Sequence, residues 1–340
     1  MVDKNYSNGN TRIVITKTPL RITFTGGGTD LPDYYKKYGT GAVVSATINK
    51  YIYVTIAKNF YNDEIRVSYS KTENALKNVE DIQHPTVREA MKLLGIRSGI
   101  QIISITEVPS SGTGLGSSSS FLVGLLNALH GWLGEAATPR QLAEEAIKVE
   151  REILKEPGGM QDQYMAAYGG IQFMEFFQDG NVSLKQAMLK REDRNALKEH
   201  LLLFYTGRER SSANIHREQA GSIDSYVEQY RKMSELAYET YNKLSNGNWK
   251  ELGELLDLNW NLKKQLSNKI SDDCIDKWYE KAKKAGAIGG KLIGAGGGGF
   301  MLFFADPSKH DGIRKALPEL REESFNFEPF GSRILYIENT

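Results

Sequence analysis

Three glycine tracts constrain this chain more than anything else in it: Gly26-Gly27-Gly28, the run from Ser110 to Ser120 (SSGTGLGSSSS), and Gly294-Ala295-Gly296-Gly297-Gly298-Gly299. Tracts of this composition often serve as flexible linkers. Here each abuts an apolar element. Arg21-Ile22-Thr23-Phe24-Thr25 precedes the first, Ile100 to Ile105 precedes the second, and Phe300 to Phe304 follows the third. They therefore punctuate strands and helices within domains rather than join domains.

At roughly 150 residues per domain, 340 residues predict two domains, each able to bury a core. The 43 basic and 42 acidic residues nearly cancel, leaving no broad positive field for a nucleic-acid backbone or an anionic membrane. The longest apolar runs, such as Leu201 to Tyr205, fall far short of the ~20 residues that span a bilayer. Met1 to Asn10 is polar, without the apolar core of a secretory signal, and the single Cys274 has no disulfide partner in the chain. Both point to the cytoplasm. No heptad seam or charge stripe decides the oligomeric state, and a homodimer stays open.

Strands are expected near 12–16, 21–25, 42–47, 50–57, 65–69 and 100–106, each rich in β-branched or aromatic residues. A helix should run from the serine cluster through Leu129 and end at Gly131 or Gly134. Thr138-Pro139-Arg140-Gln141 opens the next helix, with an N-cap threonine, proline at the first helical position and glutamine placed for a capping box. It should stop before Pro157-Gly158-Gly159. Strands follow near 171–176 and 201–205, then long helices over 222–285 broken once at Gly247, then strands near 299–304 and 333–337. Both halves mix strands and helices, so the class is α+β, with the boundary set between 1–190 and 191–340.

Glycines let a backbone approach a ligand closely, and a helix N-terminus offers unpaired N–H groups to an anion. Ser110, Gly112, Gly114, Leu115, Gly116, Ser117, Ser118 and Ser119 therefore read as a phosphate cradle opening a helix. It is not a Walker A loop, since no Gly-Lys-[Ser/Thr] follows, so charge and metal ligands must come from elsewhere. The serine hydroxyls can reach a Mg²⁺ or act only as N-caps. At ~100° per residue from Leu142, Ala146, Val149 and Ile153 fall within about 40°, and Glu150 lies near 80°, inside the apolar arc. Glu144, Glu145, Lys148, Arg151 and Glu152 fall outside and read as a solvated face. A buried carboxylate needs a cation opposite it. Glu150 is thus the metal-ligand candidate, the alternative being a cleft-edge or ion-paired glutamate.

Asp162 follows the Pro157-Gly158-Gly159 reversal, where local sequence favours a cap or turn role over that of a base. Arg21 can clamp a phosphate or hold Asp162 ionised, and Asp30 can bind hydroxyls. The third tract forms either a second wall of the site or a tight turn.

Together these residues resemble the GHMP kinases, whose three motifs appear in order over nearly the whole chain. The central one runs from Pro109 through Gly114-Leu115-Gly116-Ser117-Ser118-Ser119. The resemblance implies ATP in an interdomain cleft, Mg²⁺ on Ser118 and Glu150, Asp162 before Tyr168-Gly169-Gly170 as base, and Arg21 where relatives carry lysine or arginine. Within that superfamily, Thr18-Pro19-Leu20-Arg21-Ile22 with Gly26-Gly27-Gly28-Thr29-Asp30 departs from the Gly-Glu-His-Thr-Asp of galactokinases. It is similar to the D-glycero-D-manno-heptose 7-phosphate kinases, as is Phe204-Tyr205-Thr206-Gly207 with Arg210 and Ser211. The acceptor implied is that small sugar phosphate, bound by Gly27, Gly28, Thr29, Asp30, Gly297 and Arg210. Lys291 and Arg208 are further candidates for its 7-phosphate. A related Gly-Gly-x-[Thr/Ser]-Asp element in fucose-kinase domains leaves another sugar open. A non-catalytic nucleotide or sugar sensor would be expected to lack one of these groups.

Overall fold

The computed structural model describes residues 11–61, 63–109, 112–209 and 212–339. Its strands are β1 Thr11–Thr25, β2 Gly41–Lys58, β3 Ile65–Ser68, β4 Thr72–Leu76, β5 Ile100–Thr106 and β6 Ile171–Phe176. They continue with β7 Val182–Gln186, β8 Leu201–Tyr205, β9 Ala287–Leu292, β10 Phe300–Ala305, β11 Arg321–Glu322 and β12 Arg333–Asn339. Among the described residues these make an eight-stranded sheet, β12-β1-β2-β5-β3-β4 with β6 and β7 branching from β2, and a four-stranded sheet, β11-β8-β10-β9. The result is a mixed α/β fold in two parts, in keeping with the α+β class. No helix among the described residues is long and apolar enough to cross a membrane.

β1 is one strand where two were expected, and its register slips at Pro19/Leu20, where proline removes a ladder donor. β2 is likewise continuous, because its halves serve different neighbours: Gly41–Ala46 pairs with β6 and Ile52–Lys58 with β5. β7 and β9 were not foreseen. β9 holds Gly289 and Gly290, whose missing side chains admit Gly253 and the Leu302 carbonyl. The helical stretch after residue 222 breaks twice, at Gly247 and again between Lys264 and Asp273.

The helix Ser117–Trp132 packs across β1 and β2. A Cβ at Gly124 would stand 2.6 Å from Thr18 Oγ1, and Thr16 Oγ1 donates to the Gly124 carbonyl at 2.9 Å. Thr138 Oγ1 accepts the Gln141 N–H at 3.2 Å as expected, but the Gln141 side chain donates to Glu145 instead of closing a capping box. The α-helix Pro139–Ile147 widens into a π-helical turn over Lys148–Ile153. An angular argument at 100° per residue overruns this change of pitch, so Ile153, placed inside, is 41% exposed.

Glycine tracts join the two parts. A Cβ at Gly294 would lie 2.4 Å from Gly114 Cα, and one at Gly299 would lie 2.3 Å from the Thr113 carbonyl. Gly294 also holds φ +83°, in the left-handed region. Asn259 Oδ1 accepts the Gly26 N–H at 2.9 Å, and Thr25 Oγ1 donates to Thr240 at 3.0 Å. Gly294→Ala should therefore cost about 2 kcal/mol or more, read as a lowered melting temperature. An unchanged melting curve would show that this seam is loose.

Candidate active site

β1 delivers Arg21, whose backbone N–H bonds the Leu115 carbonyl at 3.0 Å and so zips the strand to the second tract. The guanidinium meets Asp162 as a two-pronged fork, Nε to Oδ1 at 2.8 Å and Nη2 to Oδ2 at 2.7 Å. Its third arm, Nη1, donates to the Gly114 carbonyl. Asp162 is the second residue of the helix Gln161–Tyr168, an element the sequence reading did not include. Gly116, at φ +76°, admits this pair, since a Cβ there would lie 3.2 Å from Asp162 Oδ2 and 3.4 Å from Arg21 Cγ.

Asp30 is 2% exposed and accepts from the Gly28 N–H at 3.0 Å, the Gln161 N–H at 3.1 Å and Gln161 Nε2 at 3.2 Å. The Pro157-Gly158-Gly159 turn passes so close that a Cβ at Gly159 would overlap Asp30. Arg151 grips this turn, Nε donating to the Gly159 carbonyl and Nη1 to that of Glu156, both at 3.1 Å. It is half-buried and lines the cleft, so its assignment to a solvated face is corrected. The π-helical turn rotates it inward.

Glu150 is buried, and one of its oxygens accepts from Ser119 Oγ at 2.9 Å and from Gln163 Nε2. Burial raises its pKa, opposed by the Arg151 charge, whose Nη2 stands 3.8 Å away. Its observed serine partner is Ser119, while Ser118 is exposed at the mouth of the helix. Ser120 Oγ donates to the Pro19 carbonyl, and Ser117 shares a hydrogen bond with Thr113. Among the described residues no cluster of three or more His, Cys, Asp or Glu side chains could hold a metal ion. A single buried carboxylate with hydroxyls nearby fits a hard divalent ion carried mainly by phosphate oxygens.

A cleft between the two parts is lined by Arg21, Asp162, Gln161, Gly27, Gly28 and Asp30 on one side. Arg151, beside Gly159, belongs to the same side, and His216, Gln219, Lys263, Gly294 and Ala295 line the other. Lys263 was missed, although Leu252, Leu255, Leu256, Asn259, Trp260 and Lys263 share one buried stripe, and the logic that singled out Glu150 applies to it. Its ammonium donates to the Gly294 carbonyl, and burial followed by the Arg21 charge lowers its pKa to about 8.

Other candidates lie elsewhere. Thr29 is buried and exchanges hydrogen bonds with Ala42, and Gly297 N–H bonds the Ile270 carbonyl at 2.9 Å. Lys291 is fully buried, with Nζ 3.1 Å from the Phe24 carbonyl, which makes it a strut between the parts rather than a surface cation. Arg208 is paired with Asp272 at 2.6 Å. Ser110 and Arg210 lie outside the described residues, as does Ser211.

Residues 82–170 match the GHMP kinases N terminal domain, and residues 240–322 match the GHMP kinases C terminal domain. The chain is 32% identical to a D-glycero-alpha-D-manno-heptose 7-phosphate kinase of Campylobacter jejuni, over 90% of this chain and 93% of that protein. It is 26% identical to the L-fucokinase/L-fucose-1-P guanylyltransferase of Bacteroides fragilis over 91% of its own length, but spans 36% of that longer protein. Its fold matches the crystal structure of a D-glycero-D-manno-heptose 1-phosphate kinase from Bacteroides thetaiotaomicron with TM-score 0.80 and 26% identity, over 96% of this chain and all of that one.

Because the fold disfavours the ionised form of Glu150, Glu150→Gln should melt at or above the parent temperature at neutral pH. The same change should raise the magnesium concentration needed for nucleotide binding. A large drop in melting temperature with an unchanged magnesium titration would make Glu150 purely structural.

Proposed function

The chain belongs to the GHMP kinases, phosphotransferases with hydroxyl acceptors, and from that premise we propose that it transfers the γ-phosphate of ATP to the anomeric hydroxyl of D-glycero-D-manno-heptose 7-phosphate. The product would be the 1,7-bisphosphate, a precursor for nucleotide-heptose and surface-glycan synthesis in the cytoplasm. Residues 1–190 would hold the nucleotide, and 191–340 would complete the cleft. The observation that carries this reading is the Arg21–Asp162 fork beside the Gly112–Ser119 loop.

In this mechanism the loop N–H groups and the start of the helix Ser117–Trp132 cradle the triphosphate. Ser118 and Glu150 would hold Mg²⁺, which when bound neutralises charge on the phosphates. Asp162 accepts a hydrogen bond from the C1 hydroxyl, orients it in line with the γ-phosphate and takes its proton as the new O–P bond forms and the bond from the γ-phosphorus to the β–γ bridging oxygen breaks, releasing ADP. Arg21 fixes the Asp162 carboxylate and stabilises charge on the transferred group. Gly27, Gly28 and Asp30, which line the cleft, would bind the sugar. The heptose assignment is supported by the Campylobacter relative and by the Gly26–Asp30 element. The Bacteroides fragilis relative favours a second reading, a kinase of a free sugar such as fucose.

Turnover measured on heptose 7-phosphate against unphosphorylated hexoses separates the two, and the heptose phosphate should be preferred in kcat/KM. Fucose as the better substrate would overturn the first reading. Asp162→Asn should lower kcat by roughly 10²-fold or more with nucleotide affinity near normal. Nearly full rate in that variant would remove Asp162 from the chemistry.

A further inference from the structure

The helix Ser212–Ser222 presents His216 and Gln219 one turn apart, and both line the cleft. His216 Nδ1 and Gln219 Nε2 are buried without a hydrogen-bond partner, and Gln219 is 1% exposed. An unsatisfied buried polar atom is costly, so two of them on neighbouring residues that line one cavity point to an occupant that completes them.

Their chemistry narrows the occupant. Desolvation pushes the His216 imidazole down to about 4, with Asp30, Lys263, Asp162 and Arg151 the charged groups facing it. At neutral pH it is therefore uncharged, with one nitrogen donating and the other accepting. The Gln219 carboxamide is neutral as well. A neutral donor and acceptor pair suits alcohol groups, which both give and take a hydrogen bond. The cationic groups suited to phosphate, Arg21, Arg151 and Lys263, are separate side chains of the same cleft.

We propose that His216 and Gln219 bind hydroxyls of the acceptor sugar away from its reacting oxygen, and so select which sugar is phosphorylated. This rests on the sugar-kinase reading above. A site built to hydrogen-bond a hydroxyl rejects analogues that lack or misplace it, whereas an apolar wall does not.

The test uses the full chain carrying Gln219→Leu, His216→Phe or the conservative His216→Gln. In the ATP-dependent assay, Gln219→Leu and His216→Phe should each raise KM for the sugar phosphate tenfold or more with KM for ATP within twofold, while His216→Gln retains most of the affinity. Gln219→Leu should also raise the melting temperature without ligand, because it removes an unsatisfied polar atom. Unchanged sugar KM, or equal rises in both KM values, would overturn the inference while leaving the kinase reading intact. Should the parent turn over none of the sugars, calorimetric titration with heptose 7-phosphate decides separately. Binding that Gln219→Leu abolishes upholds the inference, and no binding by the parent overturns it.

Discussion

The site depends on one guanidinium. Arg21 spends its three nitrogens on two partners, holding both oxygens of Asp162 and the carbonyl of Gly114. It thereby ties a strand, a loop and a helix start that lie up to 141 residues apart in sequence. The loop can sit there only because Gly114 and Gly294 touch backbone to backbone. Every heavier side chain at this seam would push the two halves of the cleft apart, so the glycine content is a packing requirement before it is a ligand-binding one.

The same cleft carries a cost in stability. Glu150 is ionisable and buried, Lys263 is a buried ammonium bonded to a carbonyl, and His216 and Gln219 each leave a buried atom unpaired. Each would fold more easily as an apolar residue. Lys263, His216 and Gln219 line one cavity and Glu150 stands behind its Arg151, while much of the core is Val, Leu, Ile and aromatic side chains; this is the physical signature of a place shaped for something other than stability.

Much of this was legible in the sequence. Glycine tracts beside apolar segments marked a phosphate loop and a candidate second wall of the site, though not that the two would meet backbone to backbone, and a charged residue on an apolar helical stripe marked Glu150. The same rule would have found Lys263 had it been applied to the helix Leu252–Lys264. Arg151 was unreadable because a helical turn of wider pitch rotated it inward, and periodicity at a fixed angle cannot register such a change. His216 and Gln219 were invisible for another reason: their helix lacks a marked apolar face, and only the tertiary fold reveals that a cavity lies against it. Lys291 shows the converse, since a lysine beside glycines reads as a ligand-facing cation yet braces β9 against the Phe24 carbonyl of β1.

The pairing of β12 with β1 bears on how the protein comes into being. Thr11 lies opposite Asn339, and the contacts continue to Lys17 opposite Arg333, only four residues before Arg21. The first half of the strand that carries the central guanidinium therefore has an edge covered only by a strand some three hundred residues further along the chain. Covering that edge means closing a loop some three hundred residues long, a separation that chain entropy makes slow to bridge, whereas the segment around Arg21 finds its partner in the nearby β2.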